Sequence, residues 1–375
     1  MPKVSVIIPT YNRAHTITRA INSVLNQTFK DFELIVVDDG STDDTKSIIG
    51  VFEDSRIRYV WQENQERSAA RNTGIRISQG EYISLLDSDD EYLELKLESQ
   101  VHEMNINPHI GLVMSGWIET DDSESIQINR CPWIEHPESE FELRQWLLAP
   151  PVNLYATLLR RNFLEDIGGF DEEITIGEDG DLLFRLIHSG CKTSWAKILA
   201  LRFSPHTPDP LMYRINFRKV INKLFMDPAL QDQIGLSKEQ MLANLYLVVA
   251  FHAYKRGNFN LGNSQLQEAV QLDNDLLDPN NNRILQAIVS NAWLPNITDP
   301  VKLCEEIIFH LPDTFYEVKR KYRWILSRAW MSAGFRAHAL QEREMVRQAV
   351  LKACIRDPYL LVNRGIVTIF VKSLI

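Results

Sequence analysis

Along the first 120 residues, apolar positions alternate between a short continuous run and a helical spacing. Val4 to Ile8 is a β-branched run, and Ile17, Ala20, Ile21, Val24 and Leu25 then recur on one helical face. Leu34-Ile35-Val36-Val37 reads as a second strand, closed by Asp38-Asp39-Gly40. Ser41 or Thr42 is suited to cap the next helix, with Asp43 and Asp44 in its first turn, where the helix dipole favours acids. Ile57 to Trp61 is a third strand, Ser68 to Ser78 a helix, and Tyr82 to Leu86 a fourth strand. This βαβαβαβ order predicts an α/β fold with a mostly parallel sheet and helices on both faces. Strands that are apolar throughout fit a sheet covered on both sides.

From about Ile110 to Ser204 the pattern mixes. Ile110 to Trp117 reads as a strand, Glu119 to Glu124 as a polar turn, Glu140 to Leu148 as a helix and Asp181 to His188 as a stronger one, with Gly168-Gly169 breaking the chain between them. Pro205, Pro208 and Pro210 predict a boundary, which divides the chain into residues 1–210 and an all-α region, 211–375. Two segments of that region resemble each other. Ala253 to Phe259 leads through Glu268-Ala269-Val270 to Asp278-Pro279. Ala329 to Phe335 leads through Gln348-Ala349-Val350 to Asp357-Pro358. A helix, a glycine at the turn (Gly257, Gly334), a second helix and a closing proline look like a tetratricopeptide-type hairpin. The apolar end, Tyr359 to Ile375, predicts either a packed helix or one lying on a membrane surface.

The net charge of −10 argues against nucleic acid as a partner, since phosphate binding needs clustered Lys and Arg. Cys131, Cys191, Cys304 and Cys354 form no CxxC pair, so neither a zinc site nor a disulfide framework is expected, and free thiols point to the cytoplasm. Neither a signal peptide nor a membrane-spanning stretch is legible in the sequence.

The chemistry gathers at strand ends, where ligands of doubly wound sheets bind. Strand one ends in Pro9-Thr10-Tyr11-Asn12-Arg13, strand two in Asp38-Asp39-Gly40-Ser41, and strand four in Asp87-Ser88-Asp89-Asp90. Carboxylates one residue apart can face one Mg²⁺ or Mn²⁺ that also takes diphosphate oxygens, or they can belong to a loop in which Ser88 or Asp90 caps the following helix. Asp38-Asp39 can be a turn, but a lone Asp at a strand end also suits a nucleobase N–H, and Asp39 is the better placed. Tyr11 offers a flat face to a base or ribose. Arg71 offers a charged fork to a diphosphate or to a nearby carboxylate. In Gly177-Glu178-Asp179-Gly180-Asp181, a carboxylate above the sheet can take a proton from an attacking hydroxyl, or can simply favour a helix N-terminus.

Six ordered motifs then carry a resemblance: Val4 to Arg13, Val36 to Asp43, Ala70-Arg71-Asn72-Thr73-Gly74, Asp87-Ser88-Asp89-Asp90, Gly168-Gly169-Phe170-Asp171, and Gly177 to Leu182. Over residues 1 to about 205 the chain resembles the family 2 inverting glycosyltransferases, which have the A-type, Rossmann-like glycosyltransferase fold. The resemblance implies that Pro9, Tyr11, Asp39, Arg71 and Asn64 line a nucleotide pocket and that Asp87 lies near ribose and diphosphate. It implies Asp89 as the main metal ligand with His206 as a third, Asp179 as catalytic base and Glu178 beside it. It implies Mn²⁺ or Mg²⁺, a nucleotide-sugar donor (a UDP-sugar), and a glycan, lipid-linked or protein acceptor in cell-surface glycan or polysaccharide synthesis. Many relatives carry glycines where this chain has Gln65-Glu66-Arg67, on the sugar side of the pocket.

Two rivals follow. A nucleotidyltransferase would need a glycine-rich basic loop after strand one, where Pro9 to Arg13 stands instead. A helical scaffold with a vestigial nucleotide-sugar domain would not need the acidic motifs intact. The helical region is expected to hold the acceptor, self-associate, or contact a partner or a membrane periphery.

Overall fold

The computed structural model describes residues 1–120, 127–134, 136–139, 141, 143–148, 151–203, 209–278, 283–292, 299–339, 342–362 and 364–374. The chain forms two compact units, Met1–His206 with Pro228–Gly235, and Thr207–Asp227 with Leu236–Ile375.

The first unit is built on a sheet of nine strands among the described residues: β1 (Val4–Thr10), β2 (Phe32–Asp38), β3 (Ile57–Trp61), β4 (Tyr82–Leu85), β5 (Glu91–Tyr92), β6 (Leu112–Thr120), β7 (Gln127–Arg130), β8 (Thr157–Arg160) and β9 (Thr193–Phe203). Their order is β3-β2-β1-β4-β8-β6-β9-β5, with β7 beside β6. The pairs β3/β2, β2/β1, β1/β4 and β6/β9 are parallel, whereas β8 runs antiparallel to both β4 and β6. Six strands therefore point the same way, in agreement with the mostly parallel sheet predicted. Every residue of β1 is buried, as continuous apolar strands require. The helices of this unit are α1 (Ile17–Leu25), α2 (Thr45–Ile49), α3 (Glu66–Ile77), α4 (Lys96–Ile106), α5 (Leu143–Leu148), α6 (Arg161–Asp166) and α7 (Glu178–His188).

Several expectations change. Asp90 does not begin or cap a helix: β5 follows it, and α4 starts only at Lys96. Ser41 and Thr42 do not cap α2, whose N-cap is Asp44; they instead bind Asn12 across the strand ends. Glu119 and Thr120 belong to β6, and residues 121–126 lie outside those described. The strands β5, β7, β8 and β9 were not legible. Partly buried β9 alternates too weakly, and β5 and β7 are short.

In the second unit, α8 (Pro210–Leu224) begins at Asp209, whose carboxylate caps the backbone N–H groups of Leu211 and Met212; α9 (Pro228–Ile234) is counted with the first unit. Helices α10 (Lys238–Lys255) and α11 (Phe259–Leu272) form a hairpin that turns at Gly257, where φ is +71°. That left-handed geometry suits glycine. They are followed by α12 (Arg283–Ala292), α13 (Pro300–His310), α14 (Tyr316–Arg320), α15 (Tyr322–Ala339), α16 (Arg343–Arg356) and α17 (Arg364–Leu374). Gly334 is not at a turn. It lies inside α15, where an added Cβ would stand 3.3 Å from that of Ala349, so the glycine serves close packing of α15 on α16. Among the described residues, no helix is long and apolar enough to cross a membrane.

Close packing also explains Gly74 in α3. A Cβ there would lie 2.4 Å from Cγ2 of Ile7 in β1, so the helix can rest on the sheet only without a side chain. Gly74→Ala should destabilise the first unit by about 1–3 kcal/mol, read as a lower urea midpoint for its unfolding.

Candidate active site

At its carboxyl end β1 has lost its β4 neighbour. The β1/β4 ladder stops at Ile7–Leu85, whereas β1/β2 continues to Thr10–Asp38. Pro9 sits in this opened stretch, where a residue without an N–H is tolerated. Beyond it the first two strand exits are tied together. Asn12 (φ +52°) donates its N–H to Ser41 Oγ and accepts from the Thr42 N–H, while the Arg13 N–H reaches Thr45 Oγ1.

The two aspartates after β2 differ. Asp38 is fully committed, with Oδ1 accepting the Ser41 N–H at 2.8 Å and Oδ2 the Tyr59 hydroxyl at 2.7 Å. Asp39 uses only Oδ1, which accepts from Gln62 Nε2 and the Gln65 N–H. Tyr11 is 47% exposed, and Asn64 is exposed beside Gly40.

Arg71, on α3, has no exposed surface. Its Nη1 lies 2.9 Å from Glu178 Oε1 and 3.4 Å from Asp179 Oδ1, and its Nη2 lies 2.8 Å from Asp87 Oδ1 and also donates to the Tyr155 hydroxyl. The rings of Tyr155 and Phe170 lie about the guanidinium, 5.3 and 5.1 Å from its carbon. The fork is therefore spent on side chains. Of the two alternatives left by the sequence, the contacts it makes here are with the neighbouring carboxylates.

Two distant motifs brace this arrangement. Asn72 accepts the Phe170 N–H and donates to the Phe170 carbonyl, and at Gly169 (φ +71°) a Cβ would stand 2.6 Å from Asn72 Oδ1. Glycine at 169 lets the loop approach Asn72 and lays Phe170 against Arg71.

Tyr155, which no sequence motif marks, has a hydroxyl with a definite direction. Arg71 can only donate, so the hydroxyl oxygen accepts from it, and its single proton goes to Asp179 Oδ2 at 2.9 Å. Asp179 is closely surrounded by protein yet keeps 34% of its side-chain surface open. Burial, with the charge of adjacent Glu178 adding to it, pushes its carboxyl up to about 7; Arg71 opposes the rise. Arg67, one turn before Arg71, is 55% exposed at the side chain and 3.6 Å from Glu178.

Next to Arg71, carboxylate oxygens of Asp87, Asp89 and Asp90 lie within 4.8 Å of one another. Asp89 also stands 3.5 Å from Arg13. His206 lies outside the described residues. The site thus brings together Arg71, Asp87, Glu178 and Asp179, with Asp89 and Asp90 beside Asp87.

Residues 5–168 match the family described as glycosyl transferase family 2. One relative is a UDP-Glc:alpha-D-GlcNAc-diphosphoundecaprenol beta-1,3-glucosyltransferase of Escherichia coli. It is 45% identical over 102 residues, 27% of this chain and 40% of that protein. The chain spans between 16% and 59% of the length of such relatives, several of them uncharacterized glycosyltransferases of Rickettsia. Among solved structures, S. aureus TarS residues 1–349 in complex with UDP-GlcNAc has a TM-score of 0.54 at 19% identity, over 86% of this chain and 92% of that one. The mannosyltransferase PcManGT from Pyrobaculum calidifontis, in complex with GDP-Man and Mn²⁺, has a TM-score of 0.51 at 18% identity, over 88% and 86%. These likenesses identify the fold as the A-type glycosyltransferase fold.

Tyr155→Phe removes one hydroxyl from this network. Hydrogen bonds to charged groups contribute about 1.5–3 kcal/mol, so kcat should fall roughly 10- to 100-fold. Donor KM should change little, which steady-state kinetics would check.

Proposed function

We propose that the chain, which matches glycosyl transferase family 2 over residues 5–168, transfers a sugar from a uridine diphosphate sugar to a hydroxyl of a lipid-linked saccharide, inverting the anomeric carbon, in cytoplasmic assembly of a cell-surface glycan. The observation that carries this reading is the half-open carboxylate of Asp179, gripped by Tyr155 and facing Arg71 beside the Asp87–Asp90 cluster. The uridine donor and the lipid-linked acceptor draw support from the names of the relative and neighbour above.

In this reaction the acceptor oxygen bonds the anomeric carbon on the face opposite the diphosphate. The bond from that carbon to the diphosphate oxygen breaks, and the hydroxyl proton passes to Asp179. Tyr155 occupies Oδ2, which leaves Oδ1, only loosely met by Arg71 at 3.4 Å, to receive the proton. Glu178 contributes through its charge, which raises the basicity of Asp179. Asp39 Oδ2 would accept the N3–H of uracil, with Tyr11 against the base or ribose and Pro9 and Asn64 completing the pocket. Arg71 acts by fixing carboxylates, and Arg67 is the half-open cation suited to the leaving diphosphate.

Three clustered carboxylates are hard oxygen donors that suit Mn²⁺ or Mg²⁺, with Asp89 as the main ligand and Asp87 and Asp90 beside it. When bound, such an ion offsets negative charge on the departing diphosphate.

Asp179→Asn should lower kcat by about 10²- to 10⁴-fold while calorimetry still shows UDP binding; near-normal turnover would sink the base assignment. Because the base must be ionised, and its carboxyl sits at about 7, kcat/KM in the parent protein should rise with pH through that value and be lost below it. A pH profile flat from 5.5 to 8.5 (a range of about three units) would contradict this. Asp89→Asn should weaken Mn²⁺-dependent UDP binding by roughly tenfold or more, measured by titration with and without a chelator.

A further inference from the structure

The last helices carry a surface that the transfer reaction does not use. On α16, Val346, Ala349, Val350, Ala353 and Cys354 are buried and hold the helix to its neighbours. The opposite face should be polar, yet its last two turns present Leu351 (51% exposed) and Ile355 (70%). The apolar character continues past the helix into Tyr359 (86%), Leu361 and Val362 (80%), and Val371 is exposed on α17. Such residues, a nearly bare tyrosine among them, are unusual on a surface that meets only water.

The charge around them has the opposite sign to that of the chain. Residues 343–374 hold six Lys or Arg and two Asp or Glu, against a net charge of −10 overall. One of the two acids, Asp357, is taken by Arg328 at 3.0 Å, and the other, Glu344, stands seven residues before Leu351. Lys352 and Lys372 are exposed, and Arg356 is half-buried. Lys352 lies over the Trp330 ring and Arg356 donates to the Lys352 carbonyl, so neither is neutralised by a carboxylate in these contacts.

We propose that the exposed face of α16 and α17 docks on an anionic lipid bilayer. Apolar and aromatic side chains would enter the headgroup boundary while the flanking Lys and Arg meet lipid phosphates. Charge selects this occupant. A second copy applied through the same patch would set cations against cations, and a nucleic acid would have no use for Leu351, Ile355 and Val362. The inference stands on this surface alone and does not depend on the assignment of Asp179 or of the acceptor.

Flotation of the full chain with phosphatidylcholine vesicles, with and without phosphatidylglycerol at about 30% (enough to give a strongly negative surface), tests it. The expected result is binding to the anionic vesicles and weakening of at least about tenfold on pure phosphatidylcholine or in high salt. Ile355→Glu with Val362→Glu, and separately Lys352→Glu with Lys372→Glu, should each reduce binding about tenfold or more. All these sites are exposed, so thermal unfolding should shift little, even with loss of the Lys352–Trp330 contact, and transfer to a water-soluble acceptor should continue. Absence of the parent chain from the anionic vesicle fraction, or equal flotation of the variants, would overturn the proposal. So would a dimer in lipid-free buffer that Ile355→Glu and Val362→Glu dissociate, since the patch would then be a contact between copies.

Discussion

The buried guanidinium of Arg71 is the interaction on which the first unit's chemistry depends. An arginine with no exposed surface is costly unless its hydrogen-bonding capacity is met by acceptors and opposite charge. Here Glu178, Asp179, Asp87 and Tyr155 supply them to the two terminal nitrogens, from three separate segments of the chain, while Nε is left without a partner among the described residues. Each is therefore fixed relative to the others by a planar, rigid donor. Phe170, anchored by Asn72 on the same helix as Arg71, walls off the group. The arginine organises the site from behind.

Two cations, Arg71 and Arg67, among three carboxylates leave a surplus of negative charge, and Asp89 and Asp90 add to it. That surplus explains two properties together. The carboxyl of Asp179, crowded by Glu178 and poorly solvated, rises into the range where a base is effective near neutrality. The cluster at Asp87–Asp90 is left in need of positive charge, which Arg13 supplies in part at 3.5 Å from Asp89. A divalent ion would meet the same need.

What was legible in the sequence were features carried by local pattern. The strands β1, β2 and β4 are largely apolar runs with polar exits, and α1, α3 and α7 follow helical periodicity or acid placement, so the α/β class, the sheet's dominant direction and the converging strand ends could be read. Features set by tertiary partners could not. Tyr155 follows a loop and has no motif; its meaning comes from Arg71, 84 residues away. Gly334 has the spacing of a turn glycine, but Ala349 packs against it and the helix runs through. Glu66 takes φ +71° at the start of α3, a conformation natural to glycine. The sequence shows the residue, but not the strain of that conformation.

The aspartates make the limit sharper. Asp38 and Asp39 are adjacent, acidic and equally buried, and Asp87, Asp89 and Asp90 form an equally uniform run. Only the hydrogen bonds separate them. Asp38 has both oxygens satisfied by its own loop and by Tyr59, and so it holds the exit of β2 together. Asp39 has one oxygen bound and one to offer. Asp87 is tied to Arg71, which orients it, while Asp89 lies at the end of the cluster approached by Arg13. A carboxylate whose acceptor sites are all filled from within serves the fold; one with a site left over can serve a ligand. By that criterion Asp38 and Asp39 part company, and in the group around Arg71 it is Asp179 that has one oxygen held by Tyr155 and the other met only loosely, 3.4 Å from Arg71.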